Sequence, residues 1–337
     1  MRYLRYFLTI ILIIIAVFFV YPKFKSVYYD IPMLLREANK SLLFFLVIFQ
    51  GINYLGDAWL AQTLLTIANF KVGFKNTLKV AILGVIGNHV APFVGGTVVT
   101  YYFYKKLNVP AAIISFLVFA WTLFIWMVSF FLFLVSLMFL PNLFFSLVSL
   151  RDLLIIFIII IAISLLCYVF FRKKSKHLIW LFGIFSKLAN QIGLFFNKRN
   201  IFKPKFFEKF ISDFYYCLDL LLKNEREIPK LIISSLMFYL GDIATLYFSF
   251  LVFGYHANIA LLIFGYTISI VLTVFTLMPG APGVMEASLM MVFIKLGFPV
   301  HVVLFASVLF RLFSYWLPLP IGLFSYLRLK KENKKVV

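Results

Sequence analysis

Charge is scarce in this sequence, and negative charge is scarcer still. Only 13% of its 337 residues are Asp, Glu, Lys or Arg, with 12 acids against 32 basic residues. A soluble domain carries roughly 25% charged residues, so a water-soluble globule is excluded. Cysteine is nearly absent: Cys167 lies in an apolar run and Cys217 in a basic loop. Two isolated thiols offer neither a disulfide framework nor a zinc spacing. No metal, cofactor or catalytic residue is expected, and the chain is not expected to be an enzyme. A leader cleavage site is also missing. Arg2 and Arg5 precede a long apolar stretch, but Tyr21-Pro22-Lys23 follows it where small residues would stand. Segment 6–21 is therefore expected to be an uncleaved first span with its N-terminus in the cytoplasm.

What fills the chain instead is apolar. Hydrophobic residues make up 64% of it, 44 of them Phe, and the mean hydropathy is +1.04. A transmembrane barrel would alternate apolar and polar residues in short strands. Here the runs are long and continuous, so helices must satisfy the backbone internally. The apolar segments are 6–21, 41–67, 76–104, 111–140, 152–171, 230–254, 258–296 and 301–327. The net charge of +20 flanks these runs and forms no soluble basic face. Anionic headgroups explain it better than nucleic acid.

The region 172–230 differs in kind, with 13 Lys/Arg against five acids and apolar residues at helical spacing (Phe206, Phe207, Phe210, Ile211, Phe214). It is expected to form one or two amphipathic helices lying on the cytoplasmic leaflet, or else a surface for a soluble partner. Placing this basic loop inside orients the rest by the positive-inside rule. Both termini then fall in the cytoplasm of an inner-membrane protein, and 25 of the 32 Lys/Arg are cytoplasmic. Six full spans result (6–21, 41–67, 111–140, 152–171, 230–254, 301–327), and 76–104 and 258–296 must each return to the side they entered from.

Helix breakers interrupt both returning segments. The first reads Gly87-Asn88-His89-Val90-Ala91-Pro92-Phe93-Val94-Gly95-Gly96 and the second Pro279-Gly280-Ala281-Pro282-Gly283. Pro removes a donor and Gly weakens a helix. Broken backbone at membrane depth is tolerated only inside protein or beside a water-filled cavity. The two halves also echo each other. Tyr54-Leu55-Gly56-Asp57 recurs 185 residues later as Tyr239-Leu240-Gly241-Asp242, Pro92 and Gly96 match Pro279 and Gly283, and Leu107 and Pro110 match Leu296 and Pro299. The expected fold class is thus an all-α polytopic membrane protein with six full transmembrane helices. Two broken, re-entrant helical hairpins complete it as an inverted internal repeat. It is expected as one integral membrane domain, with repeat one at about 41–140, the basic loop at 172–230 and repeat two at about 230–327.

Ionisable groups inside the spans are few, and charge at depth is costly enough to mark each as a functional candidate. Between 231 and 327 they are Asp242, Glu286, Lys295 and Arg311, and between 41 and 70 only Asp57. Glu286 follows Gly283 by three residues, in the first turn after the second break, and Arg311 is its natural partner. Their pair is either a structural bridge holding the hairpin or a substrate contact. Asp57 and Asp242 hold matching positions, as polar glue between helices or as parts of a polar pathway. His89 is either a proton relay or a hydrogen-bonded structural group. Half-helices beginning near Thr97 and Val284 would aim free N–H groups at the breaks, which makes each break an anion site. The groups Pro92, Gly95, Gly96, Pro279, Gly280 and Gly283 shape those sites.

These motifs resemble a known family. Asn88–Pro92 with Gly95-Gly96, Tyr101 and Lys105–Pro110 is similar to the first motif of the lysylphosphatidylglycerol synthase transmembrane-region family. Leu277–Ala287, Leu296-Gly297-Phe298 and Arg311–Trp316 resemble its second motif. The resemblance spans about residues 5–330. It departs in the first motif, where Phe93, Thr97 and Val98 stand in place of the family's common charged residue. In larger members this module precedes a soluble aminoacyl transferase and flips the aminoacylated lipid; that domain is expected to be absent here. The resemblance implies a flippase-like protein moving a phospholipid or lipid-linked headgroup, with membrane lipids as its partners. A membrane-embedded transferase in lipid-linked sugar or aminoacyl-lipid metabolism, and an accessory subunit bound to a lipid-synthesising enzyme, are the alternatives.

Overall fold

The structure is a computed structural model that describes residues 36, 38–90, 95–140, 204–275, 284–320 and 322. Every regular element among them is helical: α1 (Leu43–Ile67), α2 (Phe74–Val90), α3 (Gly95–Lys106), α4 (Ala111–Met138), α5 (Pro204–Lys223), α6 (Ile228–Val252), α7 (Ile259–Phe275), α8 (Val284–Lys295) and α9 (Val300–Arg311). Four stretches are long and apolar enough to cross a bilayer: Lys40–Ile67, Ala111–Met138, Glu225–Val252 and Val300–Pro320. They coincide with four of the six expected spans. The other two, 6–21 and 152–171, lie outside the described residues.

Helix lengths recur in order. α1 and α6 each have 25 residues, α2 and α7 each 17, and α3 and α8 each 12. The caps recur with them. After α1 and α6 stand left-handed residues, Asn69 (φ 58) and Gly254 (φ 73); after α3 and α8 stand Asn108 (φ 61) and Gly297 (φ 87). Each provides the positive φ that closes a helix C-terminus. Phe70 N then donates to Leu65 O and Tyr255 N to Phe250 O, while Val109 N donates to Tyr104 O and Phe298 N to Phe293 O. Pro110 and Pro299, both extended, open α4 and α9, because proline forbids continuation of the helix before it.

The chain divides into two compact units, one of residues 1–51 and 241–318 and one of 52–240 and 319–337. In the second, buried side chains from several helices form one core: Leu60, Leu64 and Leu65 of α1, Tyr104 of α3, Phe116 of α4 and Leu231 of α6. Gly56 lets α1 and α6 approach closely there, since a Cβ would sit 2.7 Å from both Phe238 N and Ser234 O. Gly87 does the same for the α2–α3 hairpin, where a Cβ would strike the Gly95 carbonyl. In the first unit Phe250 of α6, Phe293 of α8 and Phe298 pack edge to face, with centroids 5.1–5.5 Å apart. Large apolar side chains also point outward, among them Phe44, Phe131 and Met138, as expected where hydrocarbon is the solvent.

α5 forms a helix as expected, and part of its apolar face is covered by protein. Phe214 packs edge to face on Phe116 and Phe119 of α4 at 6.4 and 5.7 Å, and Cys217 and Leu218 enter the core. Amphipathic spacing specifies an apolar face without specifying whether lipid or protein covers it. The first break is also shorter than expected: α2 continues through Val90 and α3 begins at Gly95. Gly87–Val90 are therefore helical, since neither Gly nor His forbids a helix as Pro92 does.

Candidate functional site

The 25-residue helices place their acids alike, Asp57 and Asp242 each at the fifteenth position. Their surroundings differ. Asp57 accepts a hydrogen bond from Trp121 Nε1 of α4 at 2.6 Å. Asp242 accepts from Gln50 Nε2 of α1 at 3.0 Å and from Tyr266 Oη of α7 at 2.7 Å. Asp57 thus ties two helices together, whereas Asp242 is the centre of a three-helix polar network.

Arg311, the last residue of α9, belongs to the same unit as Asp242. Its Nε donates to Glu286 Oε1 of α8 at 3.1 Å, with side chains only 14% and 18% exposed. Its guanidinium carbon lies 4.0 Å from the centroid of Tyr315, a cation–π contact, and it is within electrostatic reach of Asp242. Beyond Arg311 the helix widens into a π turn, Leu312–Trp316, closed by Leu317 N donating to Leu312 O at 2.7 Å. Such turns inside helices recur at functional sites. Here the turn presents Tyr315 to the guanidinium.

Asp242, Glu286 and Arg311 are thereby brought together by α6, α8 and α9, with Gln50, Tyr266 and Tyr315 joining them. Glu286 stands in the first turn of α8, which begins at Val284 as expected. Gly95 and Gly96 are buried in the first turn of α3. His89 is in the last turn of α2 and not in a break. Pro92, Pro279, Gly280 and Gly283 lie outside the described residues. The sequence did hold a signal for Gln50, an amide in an apolar run. Tyr266, Trp121 and Tyr315 carried none, being three aromatics among many. Several hydroxyls on α6 and α7 are satisfied locally: Thr245 bonds Gly241 O, Ser269 bonds Gly265 O and Thr273 bonds Ser269 O, all at 2.7 Å. That four-residue back-bonding keeps a polar side chain inexpensive in an apolar setting.

Four membrane-length helices define the class, an integral membrane protein, and a Glu–Arg pair and a hydrogen-bonded acid stand among its helices. The family is more specific. The chain matches the lysylphosphatidylglycerol synthase TM region over residues 6–322 and belongs to that family. No curated protein matches the chain significantly.

Proposed function

We propose that the chain is a lipid translocase, moving an amphiphile with an anionic or zwitterionic head across the inner membrane without covalent chemistry. The observation that carries this reading is the Arg311–Glu286 pair, buried at the first turn of α8. A guanidinium carries five donors in a fixed fork, and Glu286 engages only its Nε. The fork suits a phosphate, for which Arg is the preferred partner. The positive dipole end of α8 adds attraction for the same anion. Glu286 holds Arg311 when no headgroup is bound and is displaced by phosphate, so the pair acts as a gate.

The architecture favours an inverted repeat. α1 and α6 run antiparallel: Phe45 stacks on Phe248, Gln50 meets Asp242, and Asn53 meets Phe238. α1 and its counterpart α6 therefore run in opposite senses. α2 and α7, at 17 residues each, reach about 25 Å, and α3 and α8, at 12 residues, about 18 Å. Over the described residues neither pair reaches the ~30 Å hydrocarbon core, which supports hairpins that re-enter. Both termini are cytoplasmic in this arrangement.

The test is transbilayer movement of labelled phosphatidylglycerol and lysylphosphatidylglycerol in proteoliposomes. Movement by the intact chain and its loss in Arg311→Gln supports the reading. Equal rates in protein-free vesicles would overturn it, and a covalently altered lipid would favour a transferase.

A further inference from the structure

A slot of about 490 Å³ runs between α3 and α4. α3 contributes Thr97 and Tyr101, and α4 contributes one stripe from Ile114 to Trp126 that includes Ser115, Val118 and Thr122. Those stripe positions recur at helical spacing over 12 residues, so the slot extends about 18 Å along the axis of α4. α4 is the most hydropathic membrane-length helix among the described residues, and the slot accordingly lies along the bilayer normal.

The chemistry of its lining narrows what can occupy it. The lining has no charged side chain, and Thr122 Oγ1 already donates to Val118 O at 2.8 Å. Most of its walls are apolar, from Ile114, Val118, Phe119, Leu123 and the ring of Trp126, which suits hydrocarbon better than water. The slot opens sideways through Tyr101, Leu123 and Trp126, each more than a third exposed.

The second half of the chain explains why there is room. At the 189-residue offset that relates α3 to α8 and Pro110 to Pro299, Thr97 corresponds to Glu286, Thr122 to Arg311 and Trp126 to Tyr315. The positions that hold the ionic cluster in the second half line the slot in the first. Two long charged side chains are replaced by threonines, which removes the charge and vacates the volume. We propose that this slot binds one acyl chain of a membrane phospholipid, a tail site distinct from the ionic cluster. The proposal stands whether or not the chain translocates lipid.

The experiment uses the full-length protein in nanodiscs of phosphatidylglycerol and phosphatidylethanolamine, with a diazirine midway along one acyl chain. Photolysis and peptide mapping read where the chain lies. Adducts are expected to concentrate on Ser115–Trp126 and Thr97–Tyr101, above those on the outer face around Phe130, Phe131 and Leu134. Val118→Trp fills the slot and should abolish the slot adducts while leaving the outer-face adducts unchanged. Should that variant not fold, Ser115→Leu with Thr122→Leu fills less volume for the same readout. Adducts spread evenly along α4, or slot adducts that survive filling in a folded variant, would overturn the proposal. Translocation assays are read separately, so loss of transport with the adduct pattern intact would count against the ionic gate alone.

Discussion

Asn53 Nδ2 donates to the carbonyl of Phe238 at 2.7 Å, and the two residues are 185 positions apart, the offset that relates α1 to α6. The two helices therefore meet at a position and its own counterpart. Three residues further along α1, Gly56 permits the closest approach.

This crossing makes a prediction with a built-in contrast. Asn53→Leu removes one interhelical hydrogen bond, worth about 0.6 kcal/mol on average in membrane proteins. Gly56→Leu drives a side chain into the Ser234 carbonyl, and overpacking costs about 1–3 kcal/mol or more. Unfolding in mixed micelles should rank Gly56→Leu well below Asn53→Leu. Equal stability of the two would mean that the helices do not cross here.

The ionic pair should behave as a unit. Glu286→Gln takes the hydrogen-bonded carboxylate from a guanidinium only 14% exposed, costing up to about 3–5 kcal/mol or the corresponding activity. A double-mutant cycle with Arg311→Gln is expected to show strong coupling. Arg311→Lys should not restore function, since an ammonium lacks the planar fork. Additive single effects would show that the pair contributes nothing jointly.

Cys217 reports on α5. Burial pushes its thiol up to about 11, with Asp213 adding to the rise. The thiolate is the reactive form, so its share is minimal at neutral pH and grows as pH climbs toward that value. In a Cys167→Ala background, maleimide should label Cys217 slowly at pH 7, faster at pH 9, and fully only after unfolding. Fast labelling at pH 7 would mean that α5 is not docked on α4.

Sidedness can be read on the same helix. Tyr216 is 57% exposed, and Tyr216→Cys in a background lacking the native thiols should react with an impermeant maleimide from the cytoplasm only. Labelling from outside in intact cells would invert the topology and with it the orientation of both hairpins.

The breaks supply the last prediction. Replacing Pro279 and Pro282 with Leu, and Gly280 and Gly283 with Ala, favours a continuous helix, since Pro costs about 3 kcal/mol within one. The positive dipole end at the start of α8 would vanish. Headgroup binding and translocation should fall while expression holds, and full activity in the variant would remove the breaks from the mechanism.

Hydropathy and charge determined the membrane class and four of the spans, because a run of about 20 apolar residues has one inexpensive solution in lipid. The sequence also singled out Asp57, Asp242, Glu286 and Arg311, because ionisable groups stand out against so apolar a background. It placed Glu286 and Arg311 as partners, and the fold brings them to 3.1 Å. Tertiary structure alone decided what each group touches. Two identical Tyr-Leu-Gly-Asp motifs give one acid a tryptophan partner and the other a glutamine and a tyrosine, because different helices pack against each, α4 in one case and α1 and α7 in the other. It also decided that part of α5 packs against protein and that an apolar slot opens between α3 and α4. Apolar periodicity marks a face to be covered, and lipid and protein cover it on nearly equal terms; only the packed coordinates of neighbouring helices distinguish them.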